Sequence, residues 1–555
     1  MKFKHYLSIT TIFIGLSCSN VTAQGTFTQI HQIMQTNCAG ASCHSAGGNP
    51  SFDVSLSDSA LYARLVNGTP VNPAAAAKGD KLITPGYVDK SYLLRKIAHG
   101  LNENNIHLAL GAQEGANMPS GSNLTKQQIE LFRQWILYGA PKTGSTVDTA
   151  VINQYYSGKG KDDTYASHAP PAAGTGFQIY VGKLLIPANS EPYYYIKHDM
   201  RLSSSIEIPK IATMLPASTH HFVIFKFLPG SGNLYGEGLR LGDINSSHAD
   251  VSDGIGTGPN LWQYDLPANT AYFWEQSTVL DFNLHIRNSM ADTVLAVELY
   301  INVNTQPVGT AQKNMLIRNY PVFTIVIPND NIEHEFVEVA NDTNETKYWN
   351  VWQLYGHTHQ WGTDYDIFLR NANGTMGAQQ YESWYSYEQD FNVGYHRFGV
   401  EATFRFYPDD SLLVVDPRLG WIHRARYKNN TADTIYWGVT SQEEMMVMGF
   451  QYVYGDDLPA LVSVNDAAKE SVKLNVFPNP VSDALALNYI LEYPSDIKVE
   501  LTNVLGESIS ILEQKNKPAG NYMEEVDLNH RFAPGMYLLS LHTKKAITTR
   551  RVIIE

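Results

Sequence analysis

Cysteine is scarce: the 555-residue chain has three, at positions 18, 38 and 43. No disulfide framework can exist beyond Cys43, so the rest of the chain must fold by core burial or metal binding. Net positive charge is also lacking. Against 40 Lys and Arg stand 54 Asp and Glu, for a net charge of −14, which argues against nucleic acid because phosphate binding needs clustered cations. After the first 24 residues there is no long apolar run, so the mature chain is expected to have no transmembrane segment. What the chain does have is 43% apolar and 17% charged residues, the balance of folded soluble domains. Its 18 histidines tilt any metal chemistry toward imidazole. Length predicts three or four domains.

Residues 1–23 read as a secretory signal. Lys2 and Lys4 precede an apolar stretch at 6–17, and Val21, Thr22 and Ala23 supply small residues for cleavage. Cleavage there removes Cys18; the competing reading makes Cys18 a lipid-bearing residue. Residues 24–140 read as mostly helical. Residues 141–172 are polar and rich in Gly and Pro, and read as a linker. From 173 to 456, β-branched and aromatic runs such as FQIYVGKLLI, HHFVIFKFL and TVLAVELYINV recur between turn residues, which predicts β-sandwiches. The length suits two, 173–308 and 309–456, with the break near Thr305–Gly309. A second linker at 457–471 leads to an all-β unit at 472–555.

Cys38, Cys43 and His44 form the sharpest local motif. Two thiols can hold a haem by thioether bonds while the histidine ligates its iron. Four residues separate the cysteines here, a less common spacing than two. Met118, in Asn-Met-Pro, offers a sixth ligand, with His99 and His107 as competitors. A helix is predicted to follow, with Thr125 as N-cap, Gln128 as its capping-box partner and Gly139 as terminator. The pattern SYLLRKIAHG, NMPSG, LTKQQIELFRQWILYGAP resembles class I c-type cytochromes, which implies a small all-α domain with His44 and Met118 as axial ligands.

A second series is His220-His221, His285, His357-Thr-His359 and Met445. Alternate residues on a strand share a face, so His357 and His359 can reach one ion. His220 and His221 are adjacent and point to opposite faces, so they can share an ion only if the strand end is irregular. The thioether favours copper, since soft sulfur suits Cu(I).

In order and spacing this series resembles the copper type II, ascorbate-dependent monooxygenases, the group of peptidylglycine α-hydroxylating and dopamine β-monooxygenases. The resemblance covers about 175–455. It implies two jelly-roll-like copper sandwiches facing each other across a solvent-filled cleft. His220, His221 and His285 would hold an electron-transfer copper, and His357, His359 and Met445 the copper that binds O2. Met446 and Met448 are alternative sulfur ligands. The chain departs from the family in lacking its disulfides. It also has Tyr355 where the peptide-amidating member carries an arginine, and Val447 and Gly449 in place of its Asn and Tyr. These changes argue against a C-terminal glycine peptide as substrate. With a haem unit upstream, the expectation is a secreted monooxygenase acting with O2 on a small organic substrate. An external donor would reduce the haem, and the tethered haem unit would dock transiently to pass electrons to copper. The competing expectations are a non-catalytic extracellular electron-transfer or copper-binding protein, and an adhesive surface protein.

The final unit carries FPNP at 477–480, GMYLLSL at 535–541 and RRVIIE at 550–555. This set resembles the C-terminal sorting domain of the type IX secretion system of Bacteroidetes. It implies passage through that machinery to the cell surface or beyond, after haem attachment in the periplasm.

Overall fold

The computed structural model describes residues 24–40, 43–46, 48, 51–163, 169–242, 251–257, 260–384, 404–438, 442–458, 472–503, 506–528, 531–544 and 547–555. The secretory signal and Cys18 lie outside these residues. The chain divides into two compact units, one ending at Leu458 and the other running from Pro459 to Glu555. Strands dominate, and among the described residues no helix is long and apolar enough to cross a membrane.

The first unit opens with helices Thr26–Cys38, Asp58–Leu65, Pro73–Ala77, Tyr92–Ile97, Lys126–Leu137 and Thr149–Gln154. Local chemistry sets their ends. Ser57 caps the second, and Asn72 with Pro73 at the first helical position starts the third. Thr125 and Gln128 form the expected capping box. Ile129, Phe132, Trp135 and Ile136 then bury the apolar face of the Lys126–Leu137 helix, and Gly139 ends it with φ +81°.

The first sandwich has a seven-stranded sheet and a five-stranded sheet. The five-stranded sheet runs Gly238–Leu241, Tyr193–Asp199, Val279–Ile286, Thr219–Phe227, Val251–Thr257. The expected linker is partly built into this fold: Gly160–Asp163 is a strand, paired in parallel with the start of Val294–Gln306. The helices and the first sandwich do not keep separate cores. Leu61, Trp135, Ile179, Leu284 and Val303 belong to one continuous buried cluster.

The second sandwich joins Leu316–Pro321, Val447–Asp457 and Lys347–His357 in one sheet and Glu333–Ala340, Trp421–Lys428, Gly362–Arg370 and Met376–Trp384 in another. Trp349, Tyr365, Trp421 and Phe450 fill it. The second unit is a sandwich of three-stranded and four-stranded sheets around Leu487, Val499 and Leu539.

Candidate metal and haem sites

His285 stands opposite His221 in the antiparallel register of Val279–Ile286 and Thr219–Phe227, and the register then shifts so that Ile286 faces Thr219. The shift leaves His220 as the extra residue of a β-bulge. A bulge re-aims side chains at a strand end, so the backbone has the irregularity that two adjacent histidines need to serve one ion. The His220 side chain lies outside the described residues. The His221 and His285 ring centroids are 5.1 Å apart. His221 donates Nε2–H to Asn283 Oδ1 at 2.9 Å, and Glu191 Oε1 lies 2.8 Å from His285 Nε2.

On the second sandwich His357 ends its strand opposite Val447, which brings the Met445 loop to the same edge. The His357 and His359 rings are 5.3 Å apart. His359 is buried and donates Nδ1–H to the Glu443 carbonyl at 3.0 Å. Met446 and Met448 are committed to the sandwich core. Met445 instead packs against Tyr193 and Tyr195 of the first sandwich, so the structure separates it from the two alternative sulfurs.

Two imidazoles sharing a tetrahedral ion at about 2 Å per bond have centroids roughly 5 Å apart. Both histidine pairs meet that spacing. Among the described residues no three His, Cys, Asp or Glu side chains converge as a metal-holding group. The second set expected from the sequence contains only two such residues, its third donor being a thioether, and the third donor of the first set is His220.

The relation between the sets differs from the one the resemblance implies. The His221 and His357 rings are 6.2 Å apart, and the aromatic contacts of Met445 bridge the two sandwiches. The sets therefore lie in van der Waals reach rather than across open solvent. Burial depresses the basicity of three of these rings. His221 is held well below the usual histidine range by desolvation and by neighbouring imidazoles. His357 is lowered to about 4 and His359 to about 3, again chiefly by burial. All three are neutral at physiological pH, which is the ligating form.

Glu444 is a residue that sequence reasoning passed over. It is fully buried, and its carboxylate accepts the backbone N–H of His359, of Trp361 at 3.0 Å and of Met445 at 2.8 Å. Desolvation pushes its carboxyl up to about 8, against the pull of those N–H donors. One side chain thus joins the His359 turn to the methionine loop. An acid directly before a candidate methionine ligand was the available signal.

In the helical part, Cys38 closes the first helix, and the His44 N–H donates to the Cys38 carbonyl at 3.1 Å. Both thiols are unpaired. Burial, aided by Cys43, pushes the Cys38 thiol up to about 11. His44 stacks on Phe52 at 3.9 Å, and its Nδ1 is buried with no hydrogen-bond partner among the described residues. Met118 is half-buried, and its N–H donates to the Lys96 carbonyl at 2.8 Å. A cavity of about 510 Å³ lies beside it, lined by His99, Asn117, Pro119 and Asn123 among others. Of the competing ligands, His99 donates to Asn123 at 2.7 Å beside that cavity. His107 is turned away, stacked on Tyr180 at 4.5 Å and bonded to Gln178 at 2.6 Å. Two unpaired thiols beside an orphaned, buried imidazole nitrogen fit a covalently held haem.

Residues 475–555 match the family described as the secretion system C-terminal sorting domain. The chain therefore carries the tail that directs type IX secretion to the cell surface or the extracellular space. No curated protein matches the chain. Solved structures with partial similarity include the PBSX exported protein XepA, at 8% identity over 50% of this chain and 86% of that one, with a TM-score of 0.15. A Faecalibacterium prausnitzii β-glucuronidase matches at 7% identity over 65% and 36%, with a TM-score of 0.13. A Parabacteroides distasonis β-1,2-glucanase matches at 11% over 40% and 30%, with a TM-score of 0.11.

Proposed function

We propose that the chain is a secreted copper-dependent monooxygenase whose N-terminal helices carry a covalently attached c-type haem. The observation that supports this most is the pair of imidazole couples, His221–His285 at 5.1 Å and His357–His359 at 5.3 Å, each at the spacing a shared ion requires. Copper held there would activate O2 for hydroxylation of a C–H bond, and haem would supply single electrons.

The residues divide the work. Asn283 and the Glu443 carbonyl each fix one histidine ring by a hydrogen bond, which selects the nitrogen left to ligate. Glu444 holds His359 and Met445 in a single frame. Tyr193 and Tyr195 give Met445 an aromatic surface to pack on. Cys38, Cys43 and His44 are the haem-attaching residues, with Met118 as the sixth ligand.

Metal analysis of the purified protein is expected to give about one iron and two coppers per chain, as the proposed donor sets require. Substrate-dependent oxygen consumption and incorporation of isotopic oxygen into a product are expected with the right member of an organic substrate panel. Met445→Ala should keep the first copper and lose oxygenation. Full activity in that variant overturns the ligand assignment, and a protein that binds no copper overturns the function.

A further inference from the structure

The helices meet the first sandwich along a seam with no room to slide. Gly86, Gly139 and Gly238 interlock there, each with φ near +80°. A Cβ on Gly238 would stand 2.4 Å from the Leu137 carbonyl oxygen and 2.8 Å from the Gly139 nitrogen. One on Gly86 would stand 2.8 Å from the Gly238 Cα. Contacts this short are forbidden to any side chain, so backbone lies directly on backbone.

Buried polar bonds lock the same seam. Gln134 donates to the Lys183 carbonyl at 2.6 Å. Glu103, on the helical side, bridges Arg133 at 3.0 Å and Lys183 of the sandwich at 3.1 Å. Arg133 is fully buried, and separating the surfaces would part Lys183, itself buried, from Glu103. With one continuous apolar core beneath, the seam resembles a domain interior rather than a transient contact.

From this seam a series of rings runs inward. Tyr87 of the helical part meets His198 at 4.8 Å, His198 meets Phe282 at 5.4 Å, and Phe282 meets Phe222 at 5.7 Å. Phe222 is the chain neighbour of His221. Burial holds the His198 imidazole down to about 3, so this interior path carries no charge of its own.

We propose that the helical part and the first sandwich form one permanently docked body, in which Gly86, Gly139 and Gly238 are positioning residues that set a fixed electron path to the His221–His285 site. The inference rests on the haem–copper reading above for its electron transfer and on the seam alone for its docking. Each transfer is one electron: ferrous haem becomes ferric as cupric ion becomes cuprous, with no proton required.

Two measurements test it separately. In metal-free full-length protein, a protease site placed in the exposed stretch 142–145, ahead of the strand Gly160–Asp163, is cut, and the fragments are passed through gel filtration. They should co-elute from the native sequence and separate in Gly238→Val. Separation of the native fragments overturns the docking, whatever metals the protein binds. In loaded protein, the haem is reduced under anaerobic conditions and its oxidation by cupric ion in the same chain is followed by stopped-flow absorbance. The rate should be independent of protein concentration, and His198→Ala should slow it about tenfold with iron and copper contents unchanged. A rate proportional to protein concentration overturns the fixed path. An unchanged rate in His198→Ala overturns the ring route.

Discussion

Glu444 shows how much one buried carboxylate can organise. It accepts three backbone N–H groups, from His359, Trp361 and Met445. Glu444→Ala leaves three backbone N–H donors without their acceptor in a dry site, so a loss of about 3 kcal/mol or more is expected in urea unfolding of the metal-free protein. Copper at the His357–His359–Met445 set should be lost with it, while the His221 set keeps its metal. A second residue-scale prediction concerns pH. His423 Nδ1 and the Tyr365 hydroxyl share a hydrogen bond of 2.8 Å, and burial lowers the imidazole to about 4. The unfolded chain binds this proton near the ordinary histidine value, about 6.5, so protonation favours unfolding. The stabilisation is full above about pH 6.5 and declines as pH falls toward 4, by a total on the order of 3 kcal/mol. A His423→Gln variant should show a shallower loss over that window in urea titrations at successive pH values. Single residues were unevenly legible. His221, His285, His357 and His359 stood out because imidazole is rare enough to notice and its spacing carries meaning. Glu444 did not stand out, because a buried acid looks like any surface acid until its burial is known.

At the scale of elements, the capping box at Thr125 could be read directly, since both partners sit three residues apart in the chain. Thr125→Ala should cost about 1 kcal/mol, measured by thermal or urea unfolding. The bulge at His220 was legible only as a requirement: adjacent histidines demanded an irregular strand end, and the register shift between His285 and Ile286 supplies one. His220→Ala should leave the strand intact by circular dichroism and weaken copper at the first set at least tenfold, with the second set unaffected. Long strands such as Val294–Gln306 were plain from their β-branched runs. The run PVFTIVI at 321–327 has a similar composition, yet it holds only the end of one strand at Pro321 and the two-residue strand Val326–Ile327, and Phe323 and Val326 are exposed. The stretch at 149–163 was misjudged in the opposite direction. Its polar composition suggests a connector, but Gly160–Asp163 finds a partner edge 134 positions along the chain, Gly160 facing Val294, and no local pattern encodes that pairing.

At the scale of the whole molecule, the sorting tail has its own core, and the rest of the chain folds around different residues. A chain ending at Leu458 should therefore show the same metal content and the same unfolding midpoint for the remaining unit, and should stay in the periplasm instead of reaching the medium. Fractionation followed by metal analysis checks both. The sorting tail was legible because its motifs FPNP, GMYLLSL and RRVIIE occur as a set. The merging of the helices with the first sandwich was not, because glycines at 86, 139 and 238 look like ordinary turn residues until they are seen against one another.

The common core of helices and sandwich has a consequence for biosynthesis. The helices are synthesised before the sandwich, but their apolar seam stays uncovered until strands as late as Val294–Gln306 have followed. The first half of the chain is therefore a long-range folding problem, slow to close and exposed to aggregation while it waits. Substitutions along the seam will register in a cell as poor yield or periplasmic degradation before they register as lost chemistry. A survey of secreted activity alone would file these positions under quality control.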